Sequence, residues 1–144
     1  MEIWLSAELS SEVLSEEQTL QECKARNAVE DVLNAQLQNK SYDIPINKWK
    51  CISIIMGTDN FDERIYYSPK RKNMDFRLRI DPTTFTATDD LGRKKLIFRM
   101  LLRSLDLLKV KLEKVRPKLD STVFDELEKL KIDVLNIAKE ESWI

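Results

Sequence analysis

Histidine is absent from this 144-residue sequence, and glycine and cysteine occur only twice each. Without histidine, the chain lacks the side chain that most often serves as a general base near neutral pH or as a metal ligand. Two glycines argue against flexible linkers and phosphate-cradling loops. The two cysteines, Cys23 and Cys51, are predicted to be free thiols in a reducing compartment. These absences favour a domain with no catalytic residues, no metal ion and no cofactor.

Long hydrophobic runs are also missing. No stretch approaches the roughly 18 to 20 apolar residues needed to cross a bilayer. A secretory signal would place basic charge before an apolar run, but the chain has Glu2 and Glu8 there. The sequence therefore predicts a cytoplasmic protein that does not associate with membranes. Its length and its 42% hydrophobic content predict a single domain, residues 1–144, with one core.

The charge is nearly balanced overall, at −1, but it is unevenly distributed. Residues 1–31 hold eight acidic and two basic residues, whereas residues 64–118 hold sixteen basic and six acidic ones. Residues 119–144 are acidic again, with seven acidic and three basic residues. Such asymmetry indicates either a charged partner or neutralisation of the basic segment by acidic helices packed beside it. The pattern does not indicate an oligomeric state.

A long amphipathic helix is predicted over residues 93–116. Its apolar residues recur at three- and four-residue steps and form one stripe, which Leu96, Met100 and Leu102 widen. The stripe consists of Ile97, Leu101, Leu105, Leu108, Leu112 and Val115. Because so broad a stripe needs a large apolar partner, we predict that it packs on a sheet formed by residues 3–80.

The remaining patterns complete this prediction. Apolar or alternating runs predict strands at residues 3–9, 48–56, 64–68 and 74–81. Ser15 and Gln18 form a capping-box signature that starts a helix ending near residue 38. The inner face of this helix is predicted to consist of Leu20, Cys23, Ala28, Val32, Ala35 and Leu37. Residues 83–90 are predicted to be a linker. The predicted fold class is α+β: an antiparallel-rich sheet of about four strands, a long N-terminal crossover helix and a C-terminal helical hairpin.

The polar face of the predicted sheet supplies one set of candidate binding residues, Trp4, Tyr66, Arg77 and Arg79. Tryptophan, tyrosine and arginine are frequent anchors of protein interfaces. If the first and last strands are neighbours, Glu8 is positioned to pair with Arg77 or Arg79. The basic segment 64–118 also permits nucleic-acid binding as an alternative. No aromatic-rich RNA motif and no glycine-rich loop accompanies it, which disfavours that alternative.

Four segments together resemble a family of bacterial immunity proteins from polymorphic toxin systems, including contact-dependent growth inhibition. They are IWLSAE at the start, WKCISIIM in the middle, and MDFRLRID with LIFRMLLRSLDLL further on. The resemblance runs from residue 3 to about residue 110. Most matching positions are predicted strand or core positions, so the resemblance bears on the fold more than on a site.

The resemblance implies a cytoplasmic protein that binds and neutralises a cognate toxin C-terminal domain, often a nuclease, without catalysis. Toxic nucleases are commonly basic, so the acidic residues of the first helix are one candidate contact surface. These residues are Glu16, Glu17, Glu30 and Asp31. The sheet residues Trp4, Tyr66, Arg77 and Arg79 are the other candidate surface. The alternatives are a nucleic-acid-binding or regulatory module that uses residues 64–118 and a small carboxylate-based hydrolase that uses Glu8.

Overall fold

The computed structural model describes the backbone of residues 2–8, 15–44, 51–57, 64–68, 73–79, 82–115 and 121–144. Side chains are described over residues 15–44, 83–114 and 122–144. Four helices lie in this part of the chain: α1 (Glu16–Leu37), α2 (Pro82–Ala87), α3 (Asp90–Val115) and α4 (Ser121–Glu140). Four strands accompany them: β1 (Glu2–Glu8), β2 (Cys51–Gly57), β3 (Arg64–Ser68) and β4 (Asn73–Arg79).

The sheet pairs mainly in parallel. Its strand order is β1-β2-β4-β3, with β2 parallel to both β1 and β4 and only β3 antiparallel to β4. Helix α1 connects β1 to β2, as parallel neighbours require a long crossover connection. Helix α1 contacts β1, while α3 contacts the other three strands and α1 itself. The two helices therefore form one layer on one side of the sheet.

The predicted fold class, α+β with an antiparallel-rich sheet, is wrong. The residues with described side chains form an arrangement of four helices and are 84% helical. Where strands are traced, two of the three pairings are parallel. The alternating patterns do not reveal which strands pair, and the 22-residue α1 between β1 and β2 is long enough for these two strands to run in the same direction. The linker predicted at residues 83–90 also contains a helix, α2, with proline at its first position.

The predicted capping box at the start of α1 is confirmed. Ser15 Oγ accepts a hydrogen bond from the Gln18 amide at 3.2 Å, and Gln18 Oε1 accepts one from the Ser15 amide at 2.9 Å. Two N–H groups that lack partners within the helix are thereby paired. Helix α3 begins similarly, because Asp89 Oδ1 accepts from the Gly92 amide at 2.7 Å. Glycine is needed at position 92, since an added Cβ would lie 1.8 Å from Thr88 Oγ1.

Among the residues with described side chains, the core lies between the helices. The apolar stripe predicted for α3 is confirmed, with its residues from Ile97 to Leu112 at most 1% exposed; the side chain of Val115 lies outside the described residues. The inner face predicted for α1 is confirmed at Leu37, which is buried, and at Val32, which packs half-buried against the core, but it is wrong at Leu20, which is 60% exposed, and at the exposed Ala35. The core residues of α1 are Ala25, Val29, Leu33 and Leu37. Small alanine side chains favour close approach of neighbouring helices, and α1 packs on α3.

Helices α3 and α4 run antiparallel. Lys131 Nζ on α4 lies 2.9 Å from Asp106 Oδ1 on α3, and the ring of Trp143, beyond α4, lies 5.7 Å from that of Phe98. Contacts therefore move back along α3 as the chain advances along α4. The left-handed Ser142, with φ 63°, turns the chain so that the Trp143 amide donates to the Ala138 carbonyl at 2.9 Å. The indole of Trp143 is buried against the core.

Two further features complete the description of the helices. Cys23 on α1 has a free, half-buried thiol, whereas Cys51 lies in β2, where only the backbone is described. No helix in the described part of the chain combines the length and the apolar character needed to span a membrane.

Candidate partner-binding surface

The four acidic residues predicted to bind a partner lie at two places on α1. Glu16 and Glu17 are exposed in its first turn, where carboxylates interact favourably with the helix dipole. Asp31 is exposed and Glu30 is half-buried, about four turns and about 21 Å further along the helix axis. Four full turns return to the same side of the helix. The acids therefore share one side of α1 but form two separate groups.

A fifth acidic residue of α1, Glu22, does not belong to this surface. It is 3% exposed, and its Oε1 accepts a hydrogen bond from Arg26 Nε at 2.8 Å. Burial raises the pKa of the Glu22 carboxyl, and the Arg26 guanidinium offsets part of this increase. The pair is therefore an internal contact of the helical layer.

The sheet register brings the other four predicted residues onto one face. Trp4 on β1 and Tyr66 on β3 lie in the same row across the sheet, because the residues that pair with them on β2 and β4 are in register with each other. Arg77 and Arg79 lie two and four residues beyond Asp75, which belongs to that row, so the pleat puts them on the same face. The opposite face carries hydrophobic positions at Ile3, Leu5, Ala7, Ile52, Ile54, Met56, Ile65, Tyr67, Met74, Phe76 and Leu78.

The strand order separates the residues of the suggested Glu8 pair. Glu8 is in register with Gly57 on β2, and Gly57 is in register with Arg79 on β4. Strand β2 therefore lies between Glu8 and both Arg77 and Arg79, about two strand spacings or 9.6 Å away across the sheet. The condition of neighbouring strands is not met.

A cleft of about 430 Å³ opens between α1 and the start of α3. The residues that line it come from the first half of α1 and the first turns of α3: Glu17, Leu20, Gln21, Lys24, Ala25, Ala28, Asp90, Arg93 and Lys94. Two alanines supply the space on the α1 side. The cleft begins at the exposed carboxylates of the first turn of α1, because Glu17 is one of its lining residues.

The Arg93 side chain in this cleft is fully engaged with the protein. It is 8% exposed, and its Nε and Nη2 donate to the carbonyls of Phe85 and Thr86 at 3.2 and 3.3 Å. Its Nη1 donates to Asp90 Oδ1 at 2.9 Å. Arg93 thus connects the end of α2 to the first turn of α3 and does not offer its charge to a ligand.

The remaining basic residues of α3 include exposed ones that face away from the core. Arg99 and Arg103 are exposed one turn apart. Asp106, a further turn along, pairs with Lys131 of α4, which raises the pKa of that lysine. The basic loop at residues 70–72, which belongs to the same basic segment, lies outside the described residues.

A second, shallower cleft of about 430 Å³ lies where the segment after α1 meets α4. Tyr42 donates a hydrogen bond from its hydroxyl to Asp133 Oδ2, and Lys40 Nζ lies 3.2 Å from Asp133 Oδ1. Burial and the Asp133 carboxylate both raise the pKa of the Tyr42 hydroxyl. The tyrosine therefore stays protonated and holds residues 38–44 against α4. No group of three or more cysteine, aspartate or glutamate residues in the described part of the chain is arranged to hold a metal ion.

Comparison with known proteins adds one decisive observation. The family model described as Immunity protein 44 matches residues 1–140. This chain belongs to the Immunity protein 44 family. The chain matches no curated protein and no solved structure.

Membership of the Immunity protein 44 family confirms the resemblance inferred from the sequence and extends it through α4. As a member of an immunity-protein family, the chain has a toxin as its partner. The family match assigns no residue of this immunity protein to that contact.

Of the residues lining the α1–α3 cleft, only Glu17 was a predicted site residue, and Gln21 and Arg93 show why the others were missed. Gln21 was missed because a glutamine does not contribute to the periodicity of apolar residues, and its role depends on which helix packs against it. Arg93 stands at the start of the helix predicted over residues 93–116, as one of several basic residues, whereas Pro82, a residue typical of a helix start, lies eleven residues earlier. A helix at 82–87 was the available signal, since its last carbonyls need donors that a nearby arginine can supply.

Proposed function

We propose that this immunity protein binds a cognate toxin domain directly, that the toxin is a nuclease, and that neutralisation takes place in the cytoplasm without catalysis. The observation that carries the proposal is the family match over residues 1–140. The absence of histidine from the sequence supports a binding role over a catalytic one. The carboxylates of Asp106 and Asp133 support a binding role as well, because each is engaged in an ion pair that connects two elements of the fold.

The acidic side of α1 is the surface proposed for this contact. Glu16, Glu17 and Asp31 are exposed, and no ion-pair partner is recorded for them within the described residues. Carboxylates without partners are available to bind a basic surface. Proteins that bind nucleic acid, such as nucleases, have such a surface. Glu30 lies on the same side of the helix and adds to the negative potential. Complementary charge increases the association rate and selects the partner.

Charge reversal of Glu16, Glu17 and Glu30 to lysine tests this surface. We expect binding of the purified toxin domain, measured by calorimetry, to weaken by well over about tenfold, because three attractive contacts become repulsive. Glu113→Lys, Glu128→Lys and Glu140→Lys together form the control, since they change the net charge equally at exposed positions on α3 and α4. Circular dichroism should show that both variants fold. Unchanged affinity in the α1 variant would place the contact elsewhere.

The polar face of the sheet is the second candidate surface. The register places Trp4, Tyr66, Arg77 and Arg79 on one face. The opposite, hydrophobic face is the one that packing against a helical layer favours. If the α1 variant binds normally while Trp4→Ala with Tyr66→Ala abolishes binding, the toxin docks on the sheet.

An RNA-binding measurement and a cell-protection assay test the alternative function, nucleic-acid binding through residues 64–118. In that case the purified protein would bind RNA with an affinity that falls steeply with salt, and its gene would not protect cells from the toxin. Protection of toxin-challenged cells by the unmodified gene, and loss of protection by the α1 variant, would support neutralisation by binding.

A further inference from the structure

The cleft between α1 and the start of α3 contains a buried hydrogen-bond acceptor without a partner. Gln21 Oε1 is inaccessible to solvent and accepts no hydrogen bond, and it is the only such side-chain atom in the part of the chain with described side chains. Buried polar atoms are nearly always paired, because an unpaired one loses its hydration without compensation. The cleft is therefore short of one hydrogen-bond donor.

Two cations of the same cleft are also unused. Lys24 and Lys94 line the cleft, and no hydrogen bond or ion pair is recorded for either within the described residues. Arg93 differs from them, because its donors are already engaged with two carbonyls and with Asp90. The cleft is thus lined by one residue with an unpaired buried acceptor and by two unused donors.

This combination selects the chemistry of the ligand. A free cation would meet Lys24 and Lys94, and a free anion would meet the carboxylates of Glu17 and Asp90, which line the same cleft. A neutral amide group avoids both conflicts. It donates through N–H and accepts through C=O, which matches Gln21 Oε1 and the lysine ammonium groups. Backbone peptides and the side chains of asparagine and glutamine carry this group.

The rim of the cleft favours a polypeptide over a small amide. Leu20 lies there with 60% of its surface exposed, and Ala25 and Ala28 form an apolar wall. An apolar contact beside a few directed hydrogen bonds is typical of the centre of a protein interface. Glu17 belongs both to the cleft and to the acidic first turn of α1, so the two surfaces are continuous.

We propose that the α1–α3 cleft receives a loop of the toxin domain, and that the Gln21 side chain, whose Oε1 is buried in the free protein, rotates into the cleft, where an amide group of the loop donates to it and accepts from Lys24 or Lys94. This inference rests on the proposed function and names the anchor of that contact. The acidic residues of α1 attract the toxin, and the cleft then fixes its position. Binding supplies the donor that Gln21 Oε1 lacks in the free protein.

Filling the cleft tests the proposal. Ala28→Trp places a large ring among the lining residues, and Ala35→Trp makes the same change at an exposed position of α1 outside the cleft. By calorimetry with the purified toxin domain, we expect at least about tenfold weaker binding for Ala28→Trp, as for an obstructed anchor pocket. Ala35→Trp should bind like the unmodified protein. Equal affinities of the two variants would overturn the proposal.

Gln21→Leu gives a second test that does not depend on the new ring. Replacing an unpaired buried acceptor with an apolar side chain should raise the thermal midpoint of the free protein. The same change should weaken toxin binding by about fivefold or more, because the amide of the loop loses its acceptor. A purely structural role predicts the first effect without the second. A more stable variant with unchanged affinity would therefore reject the proposal.

The unmodified protein separates the two levels of inference. If it does not bind the toxin domain, the proposed function fails, and the anchor fails with it. If it binds, but neither Ala28→Trp nor Gln21→Leu weakens the complex, only the cleft proposal fails and direct binding stands.

Discussion

At the scale of single residues, Glu22 is the one buried carboxylate among the described side chains. Its hydrogen bond to Arg26 favours the charged form, but burial has the larger effect, and the pKa of Glu22 rises above the ordinary 4.5. A carboxyl with a raised pKa keeps its proton in the folded state at a pH where the unfolded chain has lost it. The free energy of unfolding contributed by this group therefore decreases as the pH rises above about 4.5.

Glu22→Gln should remove this pH dependence. Glutamine has a similar shape and no titrating proton, so the stability of the variant relative to the unmodified protein should increase between about pH 4 and pH 7. Urea denaturation across this range measures the difference. Glu16→Gln is the control, because that carboxylate is exposed at the start of the same helix. A difference that decreases with pH would show that the Arg26 pair outweighs the cost of burying the charge.

At the scale of secondary-structure elements, the junction of α2 and α3 depends on Arg93. Helix α2 has six residues, and Phe85 is its only residue recorded in the buried core. So short a helix is not stable by itself. The guanidinium of Arg93 pairs two carbonyls at its end, and a planar group with several fixed donors suits this geometry better than an ammonium group.

Arg93→Lys should loosen α2 while leaving the rest of the core folded. The lysine keeps the charge but leaves at least one carbonyl without a donor, which should lower the free energy of unfolding by about 1–3 kcal/mol. Hydrogen exchange should become faster at residues 82–90 first. Arg99→Lys, at an exposed position of α3, should change neither quantity. Exchange that accelerates equally along the whole chain would contradict a local role for Arg93.

The elements also show what a single sequence can and cannot predict. The start of α1 and the buried stripe of α3 were predictable, because capping and periodicity are local properties. Strand pairing was not, since it depends on which strands meet after the intervening helix has packed. The inner face of α1 was mispredicted at Leu20 because side-chain size alone does not reveal where α3 approaches. There the close contact uses Ala25, and the leucine remains outside.

At the scale of the whole molecule, the ion pairs recorded between elements leave the charge asymmetry of the sequence largely in place. The acidic Asp106 of basic α3 pairs with Lys131 of α4, and Asp133 pairs with Lys40 and Tyr42. These contacts connect elements and leave the first turn of α1 acidic and exposed. The acidic candidates could therefore be named from sequence. The adjoining cleft could not, because Gln21 and Lys94 come together only when α1 and α3 pack.

The distribution of charge predicts a kinetic signature for toxin binding. If the acidic residues of α1 attract a basic toxin, the association rate constant should fall by about tenfold or more between about 50 mM and about 500 mM salt, because ions screen the attraction. The dissociation rate constant should change much less, since it depends on the packed contact. Stopped-flow fluorescence with the toxin domain measures the association step. The variant carrying lysine at positions 16, 17 and 30 should lose most of the salt dependence, whereas the control reversed at positions 113, 128 and 140 should keep it. An association rate that is insensitive to salt in the unmodified protein would remove the acidic side of α1 from the encounter and leave the neutral contacts of the cleft or the sheet to bring the two proteins together.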